Sequence, residues 1–226
     1  MKSKPFPLII RDEELYLLPQ KALWYSRYQS LILSDVHLGK TGHFRKAGIA
    51  IPKAIAQEDL ATLSDLIEQY SPKQIIFLGD LFHSEMNNDW QWFSLWRELH
   101  QNIEMILIKG NHDILRPYVY AQLKICVVDF LEMGAFTFIH EPEQLHLNKS
   151  CYTISGHIHP GICLQGKGKQ FLKLPCFYFG PQQAILPAFG KFTGLAILKI
   201  TTSDKVFAVT PQKIIEVNDS STCIRS

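Results

Sequence analysis

The chain has 226 residues, 46% of them hydrophobic, and its 23 Lys+Arg against 21 Asp+Glu leave a net charge of +2. That length and apolar content can bury a sizeable core, while the near-neutral balance lacks the broad basic footprint of a nucleic-acid coat, so any anion must be held locally. Five cysteines (Cys126, Cys151, Cys163, Cys176 and Cys223) are odd in number and form no CxxC pair, which argues against a disulfide framework or a thiolate zinc site and for reduced, mostly buried thiols.

At the N-terminus, "MKSKPFPLIIRDEELY" has no long apolar core before its charges begin and is a poor signal peptide. No apolar run approaches the roughly 18 residues that span a bilayer. A cytoplasmic protein with no membrane partner is expected. Nothing splits the chain, so one domain is expected over 1–226, with "NDSSTCIRS" (218–226) as a frayed tail.

The first strand signal is "SLILS" (30–34). A helix follows, because Ala56, Leu60, Leu63, Ile67 and Tyr70 form one apolar stripe at spacings of 4, 3, 4 and 3. Pro52 suits its first turn and Ser71-Pro72 ends it. "QIIFLG" (74–79) reads as the second strand. A second helix is expected in "NDWQWFSLWRELH", with Trp90, Phe93, Trp96 and Leu99 as core anchors rather than a platform for bases. "IEMILIKG" (103–110), "AFTFIH" (135–140) and "CYTISG" (151–156) are three further short strands. "QGKGK" (165–169) sits between strands, not before a helix, and is expected to be a hairpin turn rather than a phosphate loop. "QFLKLPCFYFG", "GLAILKI" and "KVFAVT" complete a mostly β C-terminal third. This order predicts an α/β layered domain with two sheets packed together and helices outside.

The polar residues fall in a pattern. The five strands run into Asp35-Val36-His37, Asp80, Asn111-His112-Asp113, His140 and His157-Ile158-His159. In layered α/β folds the ligand crevice lies at the carboxyl ends of strands. Side chains alternate along extended chain, so Asp35/His37 and His157/His159 are each expected to act as a two-pronged claw. Gly79, Gly110 and Gly156 leave room for close backbone approach. Any one of these residues alone reads more simply as a turn residue, cap or ordinary histidine; five strand ends in chain order do not. Seven candidate ligands (Asp35, His37, Asp80, Asn111, His140, His157 and His159) exceed one tetrahedral ion. They suit two cations about 3.5–4 Å apart with one shared carboxylate, the arrangement that clamps a phosphate for in-line displacement. Imidazole and oxygen donors without thiolate favour manganese, iron or zinc.

"SDVHLG", "LGDLFH", "KGNHD", "IH" and "SGHIHPG", in order from about residue 30 to 165, resemble the calcineurin-like metallophosphoesterases. The resemblance implies a four-layer αββα sandwich of two mixed β-sheets flanked by helices. It also implies one metal on Asp35, His37, Asp80 and His159, and a second on Asp80, Asn111, His140 and His157. His112 would touch the scissile phosphate, supported by Asp113. One departure is "GDLFHSE", where His83 and Ser84 stand in a stretch that carries an acidic residue in many members. "LPQKALWY", "HLGKTGHFRKAGIAIP", "GDLFHSEMN" and "LPAFGKFTG" are most similar to the ligase-associated DNA-damage-response endonuclease group. That branch implies a manganese-dependent phosphodiesterase acting with a DNA ligase and companion repair proteins.

The expected reaction is phosphodiester hydrolysis with no covalent intermediate, His112 donating to a substrate oxygen and Asp113 orienting its ring. Lys40, His43, Arg45 and Lys46 follow the first motif, either as a solvated basic loop or as a phosphate grip; Arg45 is the residue expected to hold a phosphate bidentately, with His43 and Asn111 as further substrate contacts. Two other readings remain at this point. One keeps the chemistry but takes a nucleotide or other small phosphate ester. The other is a non-catalytic interaction module, which the full ligand set disfavours. No G-x-S-x-G elbow supports a serine nucleophile.

Overall fold

The computed structural model describes residues 4–38, 55–82, 88–142, 151–166, 170–191 and 193–217. Several sequence expectations lie outside these residues: Pro52 at the start of the first helix, the basic loop with Lys40, His43, Arg45 and Lys46, the His83-Ser84 departure, Cys223 and the 218–226 tail.

Two mixed sheets stack face to face. The first has seven strands in sequential order: β1 (Phe6–Ile10), β2 (Glu13–Leu18), β3 (Ala22–Tyr25), β4 (Ser30–Leu33), β5 (Gln74–Leu78), β6 (Glu104–Ile108) and β7 (Ile125–Val128). Neighbours from β1 to β4 are antiparallel, and those from β4 to β7 are parallel. The second sheet joins β8 (Leu131–Met133), β9 (Phe136–Phe138), β10 (Tyr152–Ser155), β11 (Pro160–Gln165), β12 (Phe171–Phe179), β13 (Gln183–Ile185), β14 (Ala196–Ile197), β15 (Lys205–Val209) and β16 (Ile214–Val217). Here β10 lies between β9 and β13 and is parallel to both, and the rest is largely antiparallel. All five strands expected ahead of polar residues are present, as β4, β5, β6, β9 and β10.

The parallel strands are apolar on both faces because both are covered. On β5, Ile75 and Phe77 point toward the helices, while Ile76 and Leu78 point into the space between the sheets. Met105 and Leu107 oppose Ile106 and Ile108 in the same way on β6. The helices α1 (Ile55–Tyr70), α2 (Asn88–Leu99) and α3 (Pro117–Gln122) bury residues in the cluster on the first sheet's outer face. Among the described residues no helix covers the outer face of the second sheet, where Ile162, Cys176, Val206, Ala208 and Val217 form a smaller cluster of their own.

On α1, Leu60 and Leu63 are buried as the stripe predicts, and the chain turns at Ser71 (φ 46°), whose amide still reaches the Ile67 carbonyl. On α2, Trp90, Phe93 and Trp96 are core residues, but Leu99 is 81% exposed. The reason is angular: nine residues at about 100° each carry Leu99 to the face opposite Trp90. The expectation that most cysteines are buried is also corrected, since Cys126 and Cys151 are exposed, Cys163 is intermediate and only Cys176 among the described four is buried. The "QGKGK" segment does join two antiparallel strands, with Gln165 opposite Phe171 and the Gly166 amide donating to the Gln170 carbonyl. "GLAILKI" contributes only the two-residue β14 beside β11. No described helix is long and apolar enough to cross a membrane.

A part-buried lysine lies behind the first motif. The Lys21 ammonium donates to the Gly190 carbonyl (3.1 Å), and the Gly190 amide donates to the Asp35 carbonyl (3.1 Å). Burial pushes the Asp59 carboxyl on α1 up from 3.8 to about 6, against the pull of Lys21 and Lys191. Burial likewise pushes Lys21 down to about 8, against the pull of Asp59. Because the folded pKa of Asp59 is raised, the native state holds a proton there between pH 4 and 6 that the unfolded chain has released. Stability therefore falls as pH rises through that window, by on the order of 3 kcal/mol. Lys21 has the opposite slope, gaining stability as pH climbs from 8 toward 10.5. Asp59→Asn should accordingly melt progressively higher than the parent as pH moves from 4 to 7; parallel melting curves across that range would contradict it.

Candidate metal centre

Strands of both stacked sheets end at one rim, and the five strand ends deliver their polar side chains there. Asp35 and His37 follow β4, Asp80 follows β5, Asn111 follows β6, His140 follows β9, and His157 and His159 follow β10. Two donor groups result: Asp35, His37 and His159 in one, Asp80, His140 and His157 in the other, each with ligand atoms within 4.8 Å of one another.

The distances assign an atom to each donor. In the first group, His159 Nε2 lies 3.3 Å from Asp35 Oδ1 and 3.3 Å from His37 Nε2. In the second, His140 Nε2 lies 3.1 Å from Asn111 Oδ1 and 3.2 Å from His157 Nδ1. Asp80 belongs to both. Its Oδ2 is 4.0 Å from His37 Nε2, and its Oδ1 is 3.6 Å from His140 Nε2. One carboxylate thus turns an oxygen to each set.

The backbone that builds this is not the extended claw that residue alternation suggests. Asp35, His37, Asp80, His157 and His159 all have positive φ, between 51° and 64°. Left-handed backbone at both ends of Asp-x-His and His-x-His turns the paired side chains inward. Each such residue costs roughly 1–2 kcal/mol, so the surroundings must hold them. They do so by continuing the sheet into the loops. Amides of Asp35, His37 and Leu38 donate to carbonyls of Gly79, Asp80 and Leu81 (3.3, 2.9 and 2.9 Å), and Phe189 and Gly190 donate back to Ser34 and Asp35 (2.7 and 3.1 Å). The glycine expectation holds for a steric reason. A Cβ on Gly79 would sit 2.1 Å from the His140 ring, one on Gly110 would sit 2.3 Å from Asp80 Oδ1, and one on Gly156 would strike Ser34 Oγ.

Hydrogen bonds fix which atoms face inward. His140 Nδ1 donates to the Leu78 carbonyl (2.8 Å), leaving Nε2 as the free donor atom. Asp35 Oδ2 accepts from Ser34 Oγ and from the His157 amide (2.9 Å). Its Oδ1 is buried with no donor aimed at it in hydrogen-bond geometry. An orphaned buried carboxylate oxygen surrounded by imidazole nitrogens is what a cation completes. Burial acts upward on the Asp35 carboxyl, yet His159, Ser34 and His140 together outweigh it and hold the group below the usual carboxylate range. Burial raises the Asp80 carboxyl, with His140 and the His112 amide opposing.

The Asn-His-Asp turn supports the shared carboxylate directly. The His112 amide donates to Asp80 Oδ1 (2.9 Å), and the His112 ring packs edge-on to His37 at 5.6 Å. Asp113 accepts from four backbone amides: Asp80, Gly110, Leu81 and Phe82, at 2.8, 2.9, 3.0 and 3.3 Å. Its carboxyl stands at about 6, raised by burial and restrained by these amides. This side chain clamps the turn that carries Asp80, a task beyond the ring support expected of it.

Three supports were not legible in the sequence: Ser34 on Asp35, the 188–190 segment behind it, and Glu141. Glu141 directly follows His140, and its Oε1 lies 3.7 Å from His157 Nε2. His157 presents Nδ1 to the second group, so its proton must reside on Nε2, where a carboxylate favours it. Glu141→Leu should weaken binding of the second cation about 10–100-fold, read by calorimetric titration of the metal-free protein, with Glu141→Gln intermediate. Two equal wild-type affinities in the leucine variant would exclude this role.

A shared carboxylate between two imidazole-and-oxygen donor sets, at the carboxyl rim of a two-sheet α/β fold, defines a dinuclear metal-dependent phosphoesterase. Residues 29–185 match the calcineurin-like phosphoesterase family, and the chain belongs to it. Its fold is also that of the Pseudomonas putida nuclease MPE, with 29% sequence identity, a TM-score of 0.80, and coverage of 95% of this chain and all of that one. The E. coli phosphoesterase Yfce aligns over 83% of this chain and 97% of its own, at 14% identity and a TM-score of 0.45, too slight a likeness to add to the assignment. None of the curated proteins matches.

Proposed function

We propose that this phosphoesterase is a manganese-dependent DNA phosphodiesterase that works alongside a DNA ligase and its companion repair proteins. The observation that carries the phosphodiester reading is Asp80, one oxygen toward each donor set; likeness to a nuclease along almost the whole chain supports a nucleic acid, here taken as DNA, as the substrate. Two divalent cations, when bound, would supply Lewis acidity and lower the pKa of the attacking water. Asp35, His37 and His159 would hold one of them and Asn111, His140 and His157 the other, with Asp80 offering an oxygen to each. Asn111 is exposed and is also a substrate contact in this reading. His112, half-buried and anchored through its own amide to Asp80, donates to the departing oxygen as a general acid. Asp113 keeps that turn in register, and Arg45 and His43 contact the phosphate chain.

Metal analysis with a hydrolysis screen tests this. Two ions per chain and manganese-supported cleavage of linear DNA are expected, alongside bis-p-nitrophenyl phosphate. Turnover confined to cyclic nucleotides or monoesters, with DNA left intact, would refute the DNA reading. The ligase partnership predicts that the two proteins co-purify or act jointly on a gapped duplex; failure of both would remove it.

A further inference from the structure

Two stretches of the chain, "LPQKALWY" (18–25) and "LPAFGKFTG" (186–194), contain neither a ligand nor a reacting group. They meet behind Asp35, through Lys21 of the first and Gly190 of the second.

Lys21 occupies a position where glycine is the usual residue. β2 and β3 pair Leu18 with Ala22 across a three-residue loop, and the Lys21 amide donates to the Leu18 carbonyl (2.9 Å). The last residue of such a loop has left-handed backbone, here φ 62°, which glycine adopts without strain. A lysine gains nothing from that backbone, so its presence points to the side chain. The ammonium donates to the Gly190 carbonyl (3.1 Å).

Gly190, in turn, has no room for a side chain. A Cβ there would sit 2.4 Å from the Val36 carbonyl oxygen. The Gly190 amide donates to the Asp35 carbonyl (3.1 Å), and the Phe189 amide donates to the Ser34 carbonyl (2.7 Å). From α1, the buried Asp59 accepts from the Lys191 amide and attracts Lys21, and Lys191 pairs with Glu58 at 2.5 Å. The 188–191 segment is thus braced by a hairpin and a helix on one side and holds Ser34 and Asp35 on the other.

Asp35 needs that hold. Its φ is 51°, and its Oδ2 is taken by Ser34 and the His157 amide, which leaves Oδ1 for the first cation. Relaxation to the negative φ that an aspartate prefers would swing the carboxylate away. The second donor set is oriented by other bonds, His140 by the Leu78 carbonyl and Asp80 by the His112 amide. We infer that Lys21 is a positioning residue for the first cation site: through Gly190 it holds the Asp35 backbone in the left-handed form that presents Oδ1 to the ion. This rests on the dinuclear reading of the site and not on the choice of substrate.

Lys21→Gly is the sharpest variant, because glycine suits the turn and only the strut is lost; Lys21→Met, which keeps most of the stem, is a second arm. Each site is read alone by calorimetric titration with manganese, the first in a His157→Ala background and the second in His159→Ala. Both Lys21 variants should weaken the first site about ten-fold and leave the second within about two-fold. Lys21→Arg, which keeps a donor, should restore most of the loss. In the metal-free protein, amide exchange at Phe189 and Gly190 should quicken in Lys21→Gly and Lys21→Met while that of β5 and β6 stays as in the parent. Parental affinity at the first site in both variants, or equal weakening at both sites, overturns the strut. A parent chain that takes up fewer than two manganese ions overturns the dinuclear reading, and the strut with it.

Discussion

Asp80→Asn should remove nearly all turnover, by at least about 10³-fold, and take the paired cations with it. Asparagine keeps the volume and keeps one oxygen, but whichever way the amide sits, its NH₂ faces one donor set. Either His37 and its partners or His140 and its partners then lose their anionic bridge. The fold itself should not suffer. Burial already raises the Asp80 carboxyl, so a neutral residue is at least as well accommodated in the metal-free chain, and the His112 amide can still donate to it. The measurable signature is therefore a split. Metal-free melting should be unchanged or higher, while the gain on adding manganese should largely vanish. For the parent, saturating each site to a hundred times its Kd adds roughly 3 kcal/mol, on the order of 10 °C or more for both sites in a chain of this size. A variant that still gains this full increment would show that Asp80 does not bridge.

His112→Asn is the complementary case. It should lower kcat by roughly 10²–10⁴-fold while two ions per chain remain bound. What ties residue 112 to the bridge is its backbone amide, 2.9 Å from Asp80 Oδ1, and that contact does not depend on the side chain. The ring's departure also leaves Asp113 in place, since four amides hold its carboxylate. Activity should therefore fall without the loss of metal-dependent stabilisation that marks Asp80→Asn. Turnover within a few-fold of the parent would take His112 out of the reaction; loss of a metal would make it a structural residue.

The site was legible in the sequence because its chemistry is concentrated at strand ends. A short apolar run followed by Asp, Asn or His locates both the strand and the ligand, and all seven ligand positions converge in the structure. The path by which they converge was not legible. Left-handed backbone at Asp35, His37, His157 and His159 is imposed by bonds to loops far along the chain, such as Gly190 to Asp35, and no local pattern announces it. The same holds for Glu141, which matters only because β9 and β10 are neighbours.

The N-terminal meander was hidden for a different reason. β1 and β2 join through Arg11-Asp12, both with positive φ (51° and 63°), as a type I′ turn requires. Asn-Gly is the usual signal for that turn, and neither residue is present. The α2 face illustrates a third limit. A repeat of three matches the helical period over two turns, so Trp90, Phe93 and Trp96 are found, and fails by the third, so Leu99 is not.

The central claim is geometric: one carboxylate stands between two cations at the rim of the stacked sheets. Crystals grown with manganese and measured at its absorption edge test it most directly. Two anomalous peaks about 3.5–4 Å apart are expected, one among Asp35, His37 and His159, the other among Asn111, His140 and His157, with Asp80 between them. A single peak, or a pair on any other residues, would contradict it.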